Sequence, residues 1–492
     1  MSDSLKHKYM DAEHAAAFIT DGMTIAVSGY SMAGYPKAVL QQLVQRKREG
    51  DPLKLNVISG ANIPWVDELL SAEDIIAQRA PMCAHRNLSR QVNSAQVILS
   101  EQQMCDMPSL LQKKKFGPID VAVIEALGFD AQGRLIPTTS VGMTQHLIDT
   151  ADAIIVEINS GYPNYLQGLH DIYHVGVYPH RKPIPLEAPA QRIGDTGFVI
   201  DPDSIIGIVE TNISEVHKQS QVRLSEESEA AAAHLCAFLE QEYASWQGKL
   251  PPIQSGFGMI ADAVAKALGS SSFHDLEFFC GGVSPAILQL LASGKAAAVS
   301  TGGIVLDEPT DVLLSGMSDL AQRLVIRNGD ITNSAEIVSR LAVIAVNTGI
   351  EVDIYGNVNA SHIAGSTVVN GIGGGADFAH NADLSVVLIP STAKGGAISS
   401  IVPMVAHQDI CEHDVDVLIT EHGVADLRGL SDHQRSEAII EHCTAGVYQK
   451  QLRAYRQSAN NLCANHHPQL PDQAFAWYRN LKEKKTMIQE QV

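Results

Sequence analysis

The sequence predicts an α/β protein built on parallel sheets, and three observations carry that expectation. Short unbroken apolar runs recur along the chain, among them Val121-Ala122-Val123-Ile124, Ile154-Ile155-Val156 and Val386-Val387-Leu388-Ile389. Helical segments alternate with them. Several runs end in a glycine-bearing loop that opens into the next helix. Strands covered by helices on both faces are buried on both faces, so they read as continuous rather than alternating apolar runs.

Taken in order, residues 11–20 read as a helix closed by Asp21-Gly22, and residues 23–27 as a short buried strand. The loop Ser28-Gly29-Tyr30 through Gly34-Tyr35-Pro36-Lys37 opens a helix over 38–45. Strands follow at 55–58, 120–125, 153–159 and 205–210. A weakly patterned polar stretch at 211–225 precedes an Ala-rich helix over 225–247, which ends at Pro251-Pro252. A boundary near 220–250 therefore separates an N-terminal domain, 1–225, from a C-terminal one, 226–492. In the second half, Gly256-Phe257-Gly258 leads into a helix over 259–268. A strand at 276–280 is followed by Gly281-Gly282-Val283-Ser284-Pro285 and a helix that ends at Gly294-Lys295. Further strands fall at 296–300, 384–389 and 415–419, with a helix over 334–341, an apolar run at 344–347, a strand-like Ile354-Tyr355, and helices to the end.

The chain has 492 residues, 45% hydrophobic and 18% charged, with a formal net charge of −20. Such a balance suits a globular protein with ample core. It argues against nucleic acid as the main partner, which needs a basic footprint. No apolar run reaches the ~20 residues that span a bilayer, and the first residues lack a signal-peptide core, so a soluble cytoplasmic protein with no membrane partner is the expectation. The seven cysteines contain no C-x-x-C pair and indicate neither a disulfide framework nor a zinc knuckle. His466-His467 reads as a solvated pair with no third ligand beside it, and no metal is expected.

The stretch Asn370-Gly371-Ile372-Gly373-Gly374-Gly375 concentrates the chemistry. Four glycines in five positions leave the backbone bare, free to take φ > 0 and to approach a ligand. Successive N–H groups in such a turn form an anion nest for a phosphate, a carboxylate or a developing oxyanion. A tight structural turn is the other reading.

Several words along the chain, in order, resemble the acetyl-CoA hydrolase/transferase family. They are Ser28-Gly29-Tyr30 through Lys37, Gly117-Pro118-Ile119-Asp120, Val209-Glu210-Thr211-Asn212, Gln254-Ser255-Gly256-Phe257-Gly258, Asp353-Ile354-Tyr355-Gly356-Asn357, Asn370-Gly371-Ile372-Gly373-Gly374, Ile401-Val402-Pro403-Met404 and Thr420-Glu421-His422-Gly423. The resemblance implies two open α/β domains with coenzyme A at the active site between them. It implies CoA contacts at Gly256, Phe257, Gly258, Met259, Ile260, Ile350, Asn370, Gly374 and Lys394, with the Lys394 ammonium suited to a phosphate. It also implies an oxyanion donor at Gly374, acyl-CoA and small carboxylic acids as substrates, and no metal; a homodimer is left open.

One departure from the family stands out. Its nucleophile is a glutamate that attacks the acyl-CoA and becomes a glutamyl-CoA thioester. The matching position here is Gly281 counted from one side and Gly282 counted from the other. Glu277 lies about 13 Å upstream along an extended strand, too far to stand in. Cys280 is adjacent, either a thiol nucleophile or a buried inert cysteine. The resemblance and the departure together imply a CoA-ester-dependent transferase acting without a glutamyl-CoA intermediate. The alternatives are an acyl-CoA hydrolase, with water in the acceptor's place, and a non-catalytic CoA-binding homologue. The α subunits of citrate lyase and malonate decarboxylase are more distant analogues that exchange acyl groups.

Overall fold

The computed structural model describes residues 3–83, 85–217, 223–463 and 465–489. The chain divides into two compact units: Met1–Gln221 with His274–Leu341 and Asn370–Asp377, and Val222–Phe273 with Ala342–Val369 and Phe378–Val492. A single cut at 225/226 therefore describes only the first passage of the chain from one unit to the other. The strands near 276–327 and the glycine loop return to the first unit, which a boundary drawn from one polar stretch could not register.

The first unit carries a seven-stranded sheet in the order Ile205–Thr211, Ala151–Asn159, Ile119–Ala126, Thr24–Val27, Leu55–Ser59, Ile76–Ala80, Ile98–Leu99. Every neighbouring pair is parallel. The central strands Thr24–Val27 and Ile119–Ala126 are buried almost throughout, as a sheet covered on both faces requires. A second parallel run in this unit pairs Leu276–Cys280, Ala296–Thr301, Leu324–Arg327 and His170–Asp171.

The second unit has a parallel run of Ile253–Ser255, Ile344–Asn347, Leu384–Leu388 and Val417–Thr420, closed by antiparallel Gly423–Asp426. Its helix Glu226–Glu242 starts where Ser225 accepts a hydrogen bond from the Ser228 N–H and three glutamates occupy the first turn. Both features favour the positive end of a helix dipole. Helix Asp432–Cys443 opens with a reciprocal capping box between Ser431 and Gln434. Among the described residues no helix is long and apolar enough to cross a membrane.

Three local expectations change. The first helix is short, Ala12–Ala16. Ile354-Tyr355 is a turn rather than a strand: Asp353 Oδ1 accepts from the N–H groups of Tyr355, Gly356 and Asn357 at 3.0–3.1 Å, bending the chain after strand Glu351–Asp353. Strands Ile76–Ala80 and Leu324–Arg327 were not expected, because they contain arginines that look solvated in the sequence. Arg79 and Arg327 are fully buried, paired with Asp67 at 2.8 Å and with Asp171. Such pairs are held by geometry and hydrogen bonding, because burial of two charges is costly on its own.

Candidate active site

In the first unit, Tyr30 lies at the centre of the glycine turns. It leaves strand Thr24–Val27 in a tight turn where Tyr30 and Ala33 exchange backbone hydrogen bonds of 2.8 and 3.1 Å. Its ring is held by bare backbone. A Cβ at Gly142 would lie 2.9 Å from the ring, one at Gly303 3.3 Å from Tyr30 Cβ, and one at Gly302 3.5 Å from the ring. Side chains at these positions would intrude on the space the ring fills.

The hydroxyl of Tyr30 reaches Gly281. A Cβ at Gly281 would sit 2.5 Å from Tyr30 Oη, nearer than real Cβ atoms approach. The backbone at Gly281 lies outside the left-handed region, so it is the phenol, and not the chain's own geometry, that keeps the position bare. Gly281 follows strand Leu276–Cys280, and its carbonyl accepts from the Gly302 N–H at 2.8 Å. Gly282 is buried beside it and Gly281 remains partly exposed.

Asn333 connects this turn to the glycine loop. Its Oδ1 lies 3.7 Å from the Cβ position of Gly281, and its Nδ2 stands where a Cβ at Gly374 would collide. The amide cannot swing away. Thr332 donates to Oδ1 at 3.0 Å, and Nδ2 donates to Asp377 Oδ2 at 3.0 Å. The Cys105 N–H donates to the same Asp377 oxygen at 3.1 Å. The loop is anchored further where the Ile372 N–H donates to Glu101 Oε1 at 3.0 Å. Gly371 lies against Met82, where a Cβ would come within 2.7 Å. Gly373 takes φ 63°, which glycine adopts without strain. Two of the sequence-predicted positions, Gly281 and Gly374, thus face the two ends of one amide.

The electrostatics disfavour a thiol nucleophile. Burial, then Asp377, pushes the Cys105 thiol up to about 12, so it stays protonated at neutral pH. Cys280 is fully buried at the end of its strand. Burial, then the charges of Asp377 and Cys280, raises Tyr30 well above the ordinary phenol range. Burial also raises Asp377, against its hydrogen bonds from Cys105 and Asn333.

A buried polar cluster fixes the loop that presents Tyr30. Lys37 Nζ donates to Glu125 and Tyr35 O at 2.6 Å each, and lies 2.8 Å from Glu215. Glu215 accepts from the Gly34 N–H at 2.9 Å, and Glu157 takes the N–H groups of Lys37, Ala38 and Val39 at the start of helix Ala38–Arg48. The Tyr162 hydroxyl lies 2.6 Å from Glu125 and 2.7 Å from Glu215. The phenol has one hydrogen to offer the two carboxylates, so the pair crowds negative charge into a buried site. Consistently, burial pushes Glu125 up to about 7 against the pull of Lys37.

The remaining predicted residues belong to the second unit. Gly258 takes φ 111° and caps helix Met259–Ser270, and neither Gly256 nor Gly258 has an atom within 4 Å of a would-be Cβ. Phe257 is half-buried in the same turn, Ile260 half-buried in the first helical turn, and Met259 37% exposed. The Ile350 N–H donates to Asn359 O at 2.7 Å. Lys394 is exposed, with φ 51°, in the hairpin of Thr392–Ala393 and Ile398–Ser399, and forms no ion pair among the described residues. The expectation for His466-His467 is corrected: Asp432 lies 2.8 Å from His467, and Glu412 completes a group of metal-ligand spacing. These neighbours are far away in sequence and so were not legible there. The group is engaged internally, with Glu412 accepting from Asn357 at 2.7 Å and the His467 ring against that of Tyr355, centroids 3.7 Å apart and tilted by 33°.

Tyr30, Asn333 and Asp377 were not singled out from sequence. Only Tyr30 left a signal, as an aromatic residue inside a glycine-bearing loop.

Residues 2–210 match the acetyl-CoA hydrolase/transferase N-terminal domain and residues 311–456 the C-terminal domain. The chain is 36% identical to the succinyl-CoA:acetate CoA-transferase of Clostridium kluyveri, over 96% of this chain and 89% of that protein. It is 34% identical to the acetyl-CoA hydrolase of Schizosaccharomyces pombe, over 99% of each. Among solved structures, RipA from Yersinia pestis matches with a TM-score of 0.70 and 18% identity, over 94% of this chain and 99% of that one, a likeness of fold. The chain belongs to the acetyl-CoA hydrolase/transferase family.

Proposed function

We propose that the protein is a CoA-transferase that moves coenzyme A between small carboxylic acids, with the acceptor acid attacking the acyl-CoA directly. The observation that carries this reading is the bare Gly281, whose side-chain position is filled by the Tyr30 hydroxyl. A glycine offers no nucleophile, and Cys105 and Cys280 are respectively held protonated and buried. The acceptor carboxylate oxygen bonds to the thioester carbonyl carbon, and the C–S bond breaks to release CoA thiolate and a mixed anhydride. The thiolate then attacks the acceptor's acyl carbon, and the donor acid leaves as its carboxylate. No net proton is consumed. Holding both substrates together supplies the rate, and the Gly374 N–H is the proposed oxyanion donor. The CoA contacts carried over by resemblance are Asn370 and Gly374 in the first unit, and Gly256, Phe257, Gly258, Met259, Ile260, Ile350 and Lys394 in the second.

Initial-rate kinetics test this. Direct attack needs both substrates bound, so double-reciprocal lines should intersect, and hydroxylamine should not inactivate the acyl-CoA-treated protein. Parallel lines, or a mass increment of CoA on a peptide containing Glu277 or Cys280, would overturn the reading. The acetyl-CoA hydrolase among the relatives supports a second reading with water as acceptor. Thioester loss independent of added acid would select it.

A further inference from the structure

We propose that the Tyr30 hydroxyl holds the acceptor acid, donating a hydrogen bond to its carboxylate at Gly281. The inference rests on the transferase reading and names the residue that sets its acceptor. Three observations carry it. First, Tyr30 Oη occupies the space into which a side chain at residue 281 would project, 2.5 Å from its Cβ position. Second, Tyr30 is buried, 7% exposed, while Gly281 beside its hydroxyl is partly exposed, so the way in to the hydroxyl lies at Gly281. Third, the ring fills space that side chains at Gly142 and Gly302 would otherwise take, at would-be Cβ distances of 2.9 and 3.5 Å, and Gly303 leaves room for Tyr30 Cβ at 3.3 Å.

The chemistry is that of a neutral donor. The neighbouring Asn333 amide gives its oxygen to Thr332 and one of its two N–H groups to Asp377. A phenol that stays protonated offers one hydrogen to an anion, and such charge-assisted bonds are the strong ones. The class of ligand is a short aliphatic monocarboxylate. Buried Asp377, 3.0 Å from Asn333, disfavours a second negative charge nearby.

The test reads binding apart from turnover. Acetate and propionate are titrated calorimetrically into the full-length protein saturated with CoA, for wild type, Tyr30→Phe and Tyr30→Phe/Gly281→Ser, with transfer assayed in parallel. Loss of a hydrogen bond to a charged group should weaken acid binding by about ten- to a hundredfold in Tyr30→Phe, with CoA affinity unchanged. The double variant, which returns a hydroxyl to the vacated space, should recover part of the loss. Succinate should bind more weakly than propionate to the wild type. Acid affinity that is the same in Tyr30→Phe as in wild type overturns the inference, whether or not transfer occurs. A wild type that binds no acid overturns both this inference and the transferase reading. Acid binding that depends on Tyr30 without transfer supports the inference and removes the transferase reading.

Discussion

The contact between Tyr30 and Gly281 makes a quantitative prediction about packing that does not depend on any assay of activity. Gly281→Ala adds one methyl group. Its Cβ would lie 2.5 Å from Tyr30 Oη, with the next ring atom, Cζ, at 3.5 Å and Asn333 Oδ1 at 3.7 Å. Only the first of these is a clash. Tyr30 is buried, 7% exposed, and overpacking in so confined a place costs about 1–3 kcal/mol. Tyr30→Phe removes the single offending atom and leaves the others at ordinary van der Waals distance. In that background Gly281→Ala should cost less than about 0.5 kcal/mol. The two substitutions should therefore couple by about 1–2 kcal/mol, a value typical of residues in direct contact. Guanidinium unfolding of the wild type, both single variants and the double variant measures this. Additive destabilisation within about 0.5 kcal/mol would show that the phenol does not fill the position. The same logic applies to Gly281→Glu, which should be poorly tolerated alone and accepted when combined with Tyr30→Phe.

Lys394→Ala should weaken CoA binding and flatten its salt dependence, since an exposed unpaired ammonium acts on a phosphate through a screened field; unchanged affinity by calorimetry refutes the contact. His146 lies 3.0 Å from Asp330, and although burial lowers its pKa, the Asp330 charge and hydrogen bond more than offset this and raise it. That contribution is fully present below the unfolded value of about 6.5 and is lost as pH rises through the raised folded value. His146→Gln should accordingly lose more stability at pH 5.5 than at pH 8.5, and equal losses would refute the pairing. Lys37→Met leaves Glu125 and Glu215 without their cation and should cost about 3–5 kcal/mol. Adding Glu215→Gln should recover part of this, and thermal unfolding of the two variants shows whether it does.

Much of the fold was legible in the sequence, because strands such as Ile119–Ala126 and Leu384–Leu388 are built around unbroken apolar runs, Val121–Ile124 and Val386–Leu388, set between helical segments. Ile76–Ala80 and Leu324–Arg327 escaped because each contains an arginine whose acidic partner is not its sequence neighbour. At the site, the glycines were visible as residues without side chains, but what they make room for was not. Gly142, Gly281 and the Gly302-Gly303 pair lie far apart in the sequence, and meet only in the structure, around one tyrosine. Asn333 carries no motif at all, and its importance comes from two glycines on opposite sides of its amide. The turn at Asp353 was read as a strand because hydrophobicity records burial and not the side-chain hydrogen bonds that bend a chain.

The interleaving of the two units has a consequence for how the chain is made. The first unit includes Tyr30, but also Gly281, Asn333 and Gly374, and its last residue is Asp377. A ribosome adding roughly 5–20 residues per second needs about 8–30 s to travel from residue 221 to residue 377. Throughout that interval the nascent chain holds all seven strands of the first parallel sheet but lacks the second parallel run and the glycine loop that complete the unit. The second unit's first segment, Val222–Phe273, is made in the same interval, before the rest of its own unit. The first unit thus closes only once Asp377 has been made, and a fragment cut at 225/226 should keep the strands of the seven-stranded sheet while lacking the second run and the glycine loop.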